Sequence, residues 1–128
     1  MGNNKNRILI IEDEQDLAEA LQMRLQDKNY EVTLAADGSE GLKKAHAEKP
    51  DLIILDIRLP KLDGFKLCRM LKFDEEYKNI FIVILTAKVQ PADLQTGKEV
   101  GADAYLTKPY RSEELLETIE RILGKEGC

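Results

Sequence analysis

Cysteine is scarce in this chain of 128 residues; only Cys68 and Cys128 are present. A disulfide framework is therefore not expected to hold the fold, and a reducing compartment suits it better. Long apolar runs are missing as well. The longest are of strand length, far short of the ~20 residues a membrane helix needs. The opening Met1-Gly2-Asn3-Asn4-Lys5-Asn6 has no apolar signal-peptide core. Gly2 stands where a myristoylated glycine would, but Asn6 replaces the Ser or Thr that such a site requires. These absences point to a cytoplasmic protein with no membrane association. An excess of positive charge is lacking too. The 19 Lys and Arg against 24 Asp and Glu leave a net charge of −5, a poor basis for holding nucleic acid through its phosphates. Proteins, cations and phosphorylated groups are better-matched partners. Histidine occurs once, as His46, four residues after Leu42 on an expected surface helix. A solvated helix position is the plain reading for it.

What is present is an alternation of two patterns, without repeats, low-complexity tracts or linkers. The length corresponds to one domain, residues 1–128, with a core from about 7 to 123 and a short polar tail, 124–128. Such a chain can bury roughly two-thirds of its unfolded surface without a metal or disulfide staple. Short apolar runs alternate with segments of helical spacing. Ile8-Leu9-Ile10-Ile11 reads as a strand, and Leu17, Leu21 and Leu25 mark the face of a following helix. Val32-Thr33-Leu34 is a weaker strand. Asp37-Gly38 turns the chain into a short helix carrying Leu42 and Ala45, weakened by Gly41 and stopped at Pro50-Asp51. Leu52-Ile53-Ile54-Leu55 is the third strand. Asp63-Gly64 turns into a helix with Phe65, Cys68 and Leu71, Cys68 being a small core residue there. Ile80 to Leu85 is the fourth strand, and Pro91 to Gly101 brackets a fourth helix. Ala104 to Thr107 is the fifth strand. Ser112 is the expected cap of a last helix with Glu113 and Glu114 in its first turn and an apolar stripe at Leu115, Leu116, Ile119, Ile122 and Leu123.

The order is (βα)5. Strands apolar on both faces imply a parallel sheet with helices on both sides, an α/β fold. Right-handed crossovers then favour the flavodoxin-like, doubly wound strand order 2-1-3-4-5. Ligands of such folds bind beyond the carboxyl ends of the strands, near the switch in strand order. Glu12-Asp13 follows the first strand, Asp56 the third, Thr86 the fourth and Thr107-Lys108-Pro109 the fifth. Strands 1 and 3 are neighbours in this order, so three carboxylates converge. They repel one another and call for a cation. With oxygen donors only, that cation is Mg²⁺ or a similar hard ion, rather than zinc. Lys108 adds a fixed positive charge suited to phosphoryl oxygens, and Thr86 a hydroxyl donor. An aspartate nucleophile, a metal, a cation and a donor form the set needed to phosphorylate a carboxylate.

Glu12-Asp13, Asp56-Ile57-Arg58-Leu59-Pro60-Lys61-Leu62-Asp63-Gly64, Leu85-Thr86-Ala87 and Thr107-Lys108-Pro109 together resemble the signature of the response-regulator receiver domain of two-component systems. The resemblance runs from about Arg7 to Leu123. It implies that Asp56 is the phosphoacceptor, and that Glu12, Asp13, Asp56 and the backbone carbonyl of Arg58 serve Mg²⁺, with Mn²⁺ able to substitute. It implies that Lys108 pairs with phosphoryl oxygens, that Thr86 moves toward them, and that Tyr105 swings inward as it does. The switching surface is then the fourth helix, fifth strand and fifth helix. The implied partners are a sensor histidine kinase or a histidine phosphotransfer protein, and an output domain or target protein on that surface. A homodimer through it is also open. The domain would catalyse only its own aspartyl phosphorylation and dephosphorylation. Arg58 and Lys88 depart from the commonest family residues and would modulate the phosphorylated lifetime. Tyr110 is unusual after Pro109 and has no role in this reading, nor has Cys128.

Two other functions compete with this one. A pseudo-receiver would keep the fold and act only as an interaction module; the intact carboxylates and Lys108 argue against it. A flavodoxin-like electron carrier would need a Ser/Thr/Gly-rich loop after the first strand, where Glu12-Asp13-Glu14 stands and would repel a flavin phosphate.

Overall fold

The computed structural model describes residues 6–56, 64–86, 101–107 and 110–124. Five parallel strands form one sheet: β1 (Arg7–Ile11), β2 (Glu31–Ala35), β3 (Leu52–Asp56), β4 (Phe81–Thr86) and β5 (Ala104–Thr107), in the order β2-β1-β3-β4-β5. This is the strand order the alternating pattern predicts. The described helices are α1 (Gln15–Asp27), α2 (Gly38–Glu48), α3 (Gly64–Lys72) and a C-terminal helix (Ser112–Gly124). The fourth helix of the sequence reading falls in 87–100, outside the described residues, as do Arg58, Lys88, Lys108, Pro109 and Cys128. Gly101, read as its end, has φ +90, a conformation open to glycine, and leads into β5.

Strand alternation divides the core in two. Leu9, Ile11, Ile53, Leu55, Ile82 and Ile84 face one side, where they pack with Ala45 of α2 and Leu67, Cys68 and Leu71 of α3. Ile8, Ile10, Leu52, Ile54, Val83 and Leu85 face the other, with Leu25 of α1 and Leu115, Ile119 and Leu123 of the C-terminal helix. Both faces are covered, so the three central strands carry no polar side before their carboxyl ends. On α1 the inward positions are Ala18 and Leu25, with Leu21 half-buried, while Leu17 is 48% exposed. The leucine stripe at spacing four drifts off the buried face, because a helix turns once in 3.6 residues. The short alanine takes the place closest to the sheet.

Local chemistry sets the ends of the elements. Asp37 caps α2 by accepting from the Glu40 amide at 2.8 Å, and Glu40 Oε1 accepts from the Ala36 amide at 2.8 Å. This reciprocal box holds the Glu40 carboxyl below the usual carboxylate range, chiefly through the Ala36 N–H. Lys49 ends α2 in the left-handed region, with φ 46, just before Pro50. At the C-terminal helix the Arg111 carbonyl accepts from the Glu114 and Leu115 amides, so Ser112 lies within the first turn and is not the cap expected from the sequence. Asp103 fastens the start of β5 to β4 and α3: its Oδ2 accepts from the Ile82 amide at 2.8 Å and from Lys72 Nζ at 3.1 Å.

Replacement of Asp37 by Ala leaves the Glu40 amide without its cap and removes about 1 kcal/mol of stability. Urea unfolding of the Asp37→Ala protein checks this, and an unchanged midpoint would show that the box does not hold α2.

Candidate functional site

The site begins with a register. β1 and β3 pair with Ile10 opposite Ile54 and Ile11 opposite Leu55. Side chains alternate between faces, so the next residue on the Ile10 side of β1 is Glu12, and on the Ile54 side of β3 it is Asp56. Both therefore emerge on the α1 side of the sheet, beside each other at its carboxyl edge. Both are buried, each 7% exposed, whereas the next residue along, Asp13, is exposed. One carboxylate oxygen from each of Glu12, Asp13 and Asp56 lies within 4.8 Å of the other two.

Burial makes the arrangement costly in the absence of a counter-charge. At 4.8 Å and an effective dielectric of 20, two carboxylate charges repel by about 3.5 kcal/mol. The backbone relieves part of this: the Glu14 amide donates to Glu12 Oε2 at 3.1 Å. The Glu12 amide donates to the Ala35 carbonyl at 3.0 Å, fixing the chain just past β1 against the end of β2. All donors in the cluster are hard oxygens with at least one partly open side at Asp13. That donor set fits Mg²⁺ or a like ion, which takes carboxylates together with water. It does not suit zinc, which favours nitrogen and sulfur ligands.

Thr86 and Tyr105 are the other expected residues that lie among the described ones. Thr86 ends β4 one residue past Leu85, which pairs with Asp56, and Thr86 itself pairs with Thr107 of β5. Lys108 follows Thr107 directly in the chain; its side chain and those of Arg58 and Lys88 lie outside the described residues. Tyr105 pairs with Ile84 and packs, partly buried, against the core on the α2–α3 side. It is thus on the opposite face of the sheet from the carboxylates. Tyr110, given no role by the sequence, lines a small cavity with Glu12, Asp56, Ala18, Leu21 and Leu85. The signal for it was its place two residues past Lys108, on the chain's return from the sheet edge to the C-terminal helix. Leu17 lines the same cavity despite its exposure.

Two residues with chemical potential stand elsewhere. His46 is exposed on α2 and stacks on Tyr77, with ring centroids 4.5 Å apart and planes 17° apart. Cys68 is fully buried, and burial pushes its thiol up to about 12.

A chain with this geometry has many relatives. The family model of the response regulator receiver domain matches residues 8–120. The chain is 45% identical over 120 residues to the alkaline phosphatase synthesis transcriptional regulatory protein PhoP of Bacillus subtilis, covering 93% of this chain and 49% of that protein. It is 42% identical over 120 residues to the response regulator ArlR of Staphylococcus aureus, covering 94% and 53%. It thus spans about half the length of these curated relatives. Among solved structures, it is similar to a CheY-like receiver domain protein from Methanospirillum hungatei, with a TM-score of 0.90 at 29% identity over 97% of this chain and 98% of that one. The chemotaxis response regulator CheY4 of Vibrio cholerae gives a TM-score of 0.86 at 36% identity, covering 93% and 99%.

The neutral, buried Cys68 thiol should be inert. In a Cys128→Ser protein, a thiol reagent at mildly alkaline pH is expected to label Cys68 only after denaturant is added. Rapid labelling of the folded protein would show that α3 opens readily.

Proposed function

The chain belongs to the response-regulator receiver-domain family, and on that premise we propose that it accepts a phosphoryl group on Asp56 and uses the added charge to change its surface. The observation that carries this reading is the convergence of Glu12, Asp13 and Asp56 at the edge where β1 and β3 end. The donor is the phosphohistidine of a sensor histidine kinase or a histidine phosphotransfer protein, or a small acyl phosphate.

An oxygen of the Asp56 carboxylate attacks phosphorus while the bond from phosphorus to the donor nitrogen or oxygen breaks, and the donor leaves with that bond's electron pair. A bound Mg²⁺ supplies charge neutralisation for the carboxylates and the phosphoryl oxygens. Glu12, Asp13, Asp56 and the Arg58 carbonyl are the groups that hold it, and Mn²⁺ can take its place. Lys108 binds the phosphoryl oxygens, and the Thr86 hydroxyl donates to one of them. Water later attacks phosphorus, the bond from phosphorus to the Asp56 oxygen breaks with its electron pair going to the carboxylate, and inorganic phosphate leaves. The domain is therefore a signalling module with self-directed chemistry, rather than an enzyme acting on a separate substrate.

The output follows from charge. Phosphorylation adds about −1.5 to −2 charges and new acceptor oxygens. Thr86, drawn toward them, vacates space, and Tyr105 moves in, which biases two states that already exist. The surface that changes would be the fourth helix expected from the sequence, together with β5 and the C-terminal helix. An output domain, a target protein or a second copy of the chain would read it. We place the protein in the cytoplasm as a single receiver domain over 1–128; among the described residues, no helix is long and apolar enough to cross a membrane.

Incubation with acetyl phosphate and Mg²⁺ is expected to add one phosphoryl group by intact mass, and to add none without Mg²⁺ or in Asp56→Ala. An adduct that persists in Asp56→Ala would mean that another carboxylate is the acceptor. No adduct from acetyl phosphate or from a cognate kinase would favour the phosphorylation-independent pseudo-receiver. Arg58 lies two residues after Asp56 and Lys88 two after Thr86 in sequence, where they would screen the charge of the phosphoryl group and control the access of water. Arg58→Ala and Lys88→Ala should each shorten the phosphorylated half-life severalfold, and unchanged decay in both would remove them from the site.

A further inference from the structure

α2 passes β1 so closely at Gly41 that a side chain has no room there. A Cβ built on Gly41 would lie 2.4 Å from Cδ1 of Ile11, 2.8 Å from Cγ1 and 3.2 Å from Cγ2. Contacts below 3.0 Å are essentially unknown for real Cβ atoms, so a substitution at 41 must move something. The atoms in the way are side-chain carbons of Ile11, and the packing around Ile11 sets how far they can turn aside. Ile11 is fully buried, and it is held in register between Ala35 of β2 and Leu55 of β3. The residue after Ile11 is Glu12, and the residue after Leu55 is Asp56. The Glu12 amide is also tied to the Ala35 carbonyl, from which the chain runs directly into the Asp37 cap of α2.

We infer that Gly41 is a positioning residue for the carboxylate cluster: the notch it leaves in α2 seats Ile11 and thereby sets the spacing of Glu12 and Asp56. The inference rests on the reading of Glu12, Asp13 and Asp56 as a cation site. A close-packed interior transmits displacement because it cannot absorb added volume. A methyl at 41 drives Ile11 toward Leu55 or lifts α2 from the sheet. The first moves the β1 end relative to β3, and the second pulls on the segment from Ala35 to Asp37 that anchors Glu12. Either way, oxygens that lie within 4.8 Å of one another change their separation, and an ion that demands near-ideal octahedral geometry is the most sensitive reporter of it. The pairing of volumes makes the inference specific: isoleucine with glycine holds the same number of carbons as valine with alanine. Gly41 is matched to Ile11, and the glycine that weakens the helix intrinsically is the complement of the larger strand residue.

The test uses the full chain and Mn²⁺ alone, with free Mn²⁺ read by electron paramagnetic resonance and stability read by urea unfolding. Gly41→Ala is expected to weaken Mn²⁺ binding roughly tenfold or more, the usual scale for groups that orient ligands from behind. Ile11→Val in the same chain, which removes the closest atom, is expected to restore most of it. Leu25→Ala, on the other side of the sheet, is expected to lower stability but leave Mn²⁺ affinity unchanged. Wild-type Mn²⁺ affinity in Gly41→Ala would overturn the inference while leaving the cation site intact. An equal loss in Leu25→Ala would overturn it as general loosening. If wild type binds no Mn²⁺, the cation reading itself fails and this inference with it. If Gly41→Ala is too unstable to titrate, Ile11→Ala with Gly41→Ala removes all three close atoms. That protein is expected to bind as wild type does, and a tenfold loss in it would show that the spacing does not run through Ile11.

Discussion

Everything at the sheet edge depends on an unfavourable interaction: two buried carboxylates, Glu12 and Asp56, held beside each other by the pairing of β1 with β3. Left to themselves, like charges in a low-dielectric setting separate or take up a proton. Here they cannot separate, because the strands beneath them are fixed by Ile8, Ile10, Leu52 and Ile54, all of them 0–1% exposed. A one-residue slip of β1 against β3 would exchange the faces taken by Ile8 and Ile10 and by Leu9 and Ile11, and would carry Glu12 to the face away from Asp56. The hydrophobic core therefore supplies the free energy that keeps the charges together, and the charges create a place whose donor set fits a hard cation. Stability and chemistry are coupled through one register.

The remaining structure divides the work between the two faces of the sheet. On the α1 face, Ala18, Leu21 and Tyr110 line a small cavity together with Glu12 and Asp56. On the α2–α3 face, the side chains under the edge are apolar, and Tyr105 packs there against Ile84's neighbours. The strand ladder links the two faces at this edge. Asp56 pairs with Leu85, and the residue after Leu85 pairs with Thr107. The clasp of Lys72, Asp103 and the Ile82 amide secures the opposite, amino-terminal end of the same strands.

The fold was legible in the sequence because continuous apolar strands and amphipathic helices are set by neighbouring residues. Five runs such as Leu52-Ile53-Ile54-Leu55, each followed by a helical stripe or a turn, leave few alternatives for a parallel sheet. Glu12, Asp13 and Asp56 could be grouped from sequence for the same reason, since strand order alone brings the ends of β1 and β3 together. Features that depend on how elements press on each other were not legible. The outward turn of Leu17 and the inward place of Ala18 depend on the angle at which α1 lies on the sheet. The shift of the C-terminal helix's cap from Ser112 to the Arg111 carbonyl depends on how the chain returns from the edge. Tyr110 joins the site through the same return, two residues past a lysine that carried all the sequence signal.

Gly41 belongs with these. By helix propensity alone it weakens α2 by about 1 kcal/mol relative to alanine, and that is all the sequence says of it. In three dimensions its meaning reverses, because alanine there would collide with Ile11. The intrinsic penalty is local, whereas the penalty of filling the notch falls on the strand that presents Glu12. A residue that looks like a defect in its own helix is thus better understood as part of the neighbouring strand's fit. Local rules and global demands conflict here beside the carboxylate cluster of Glu12, Asp13 and Asp56.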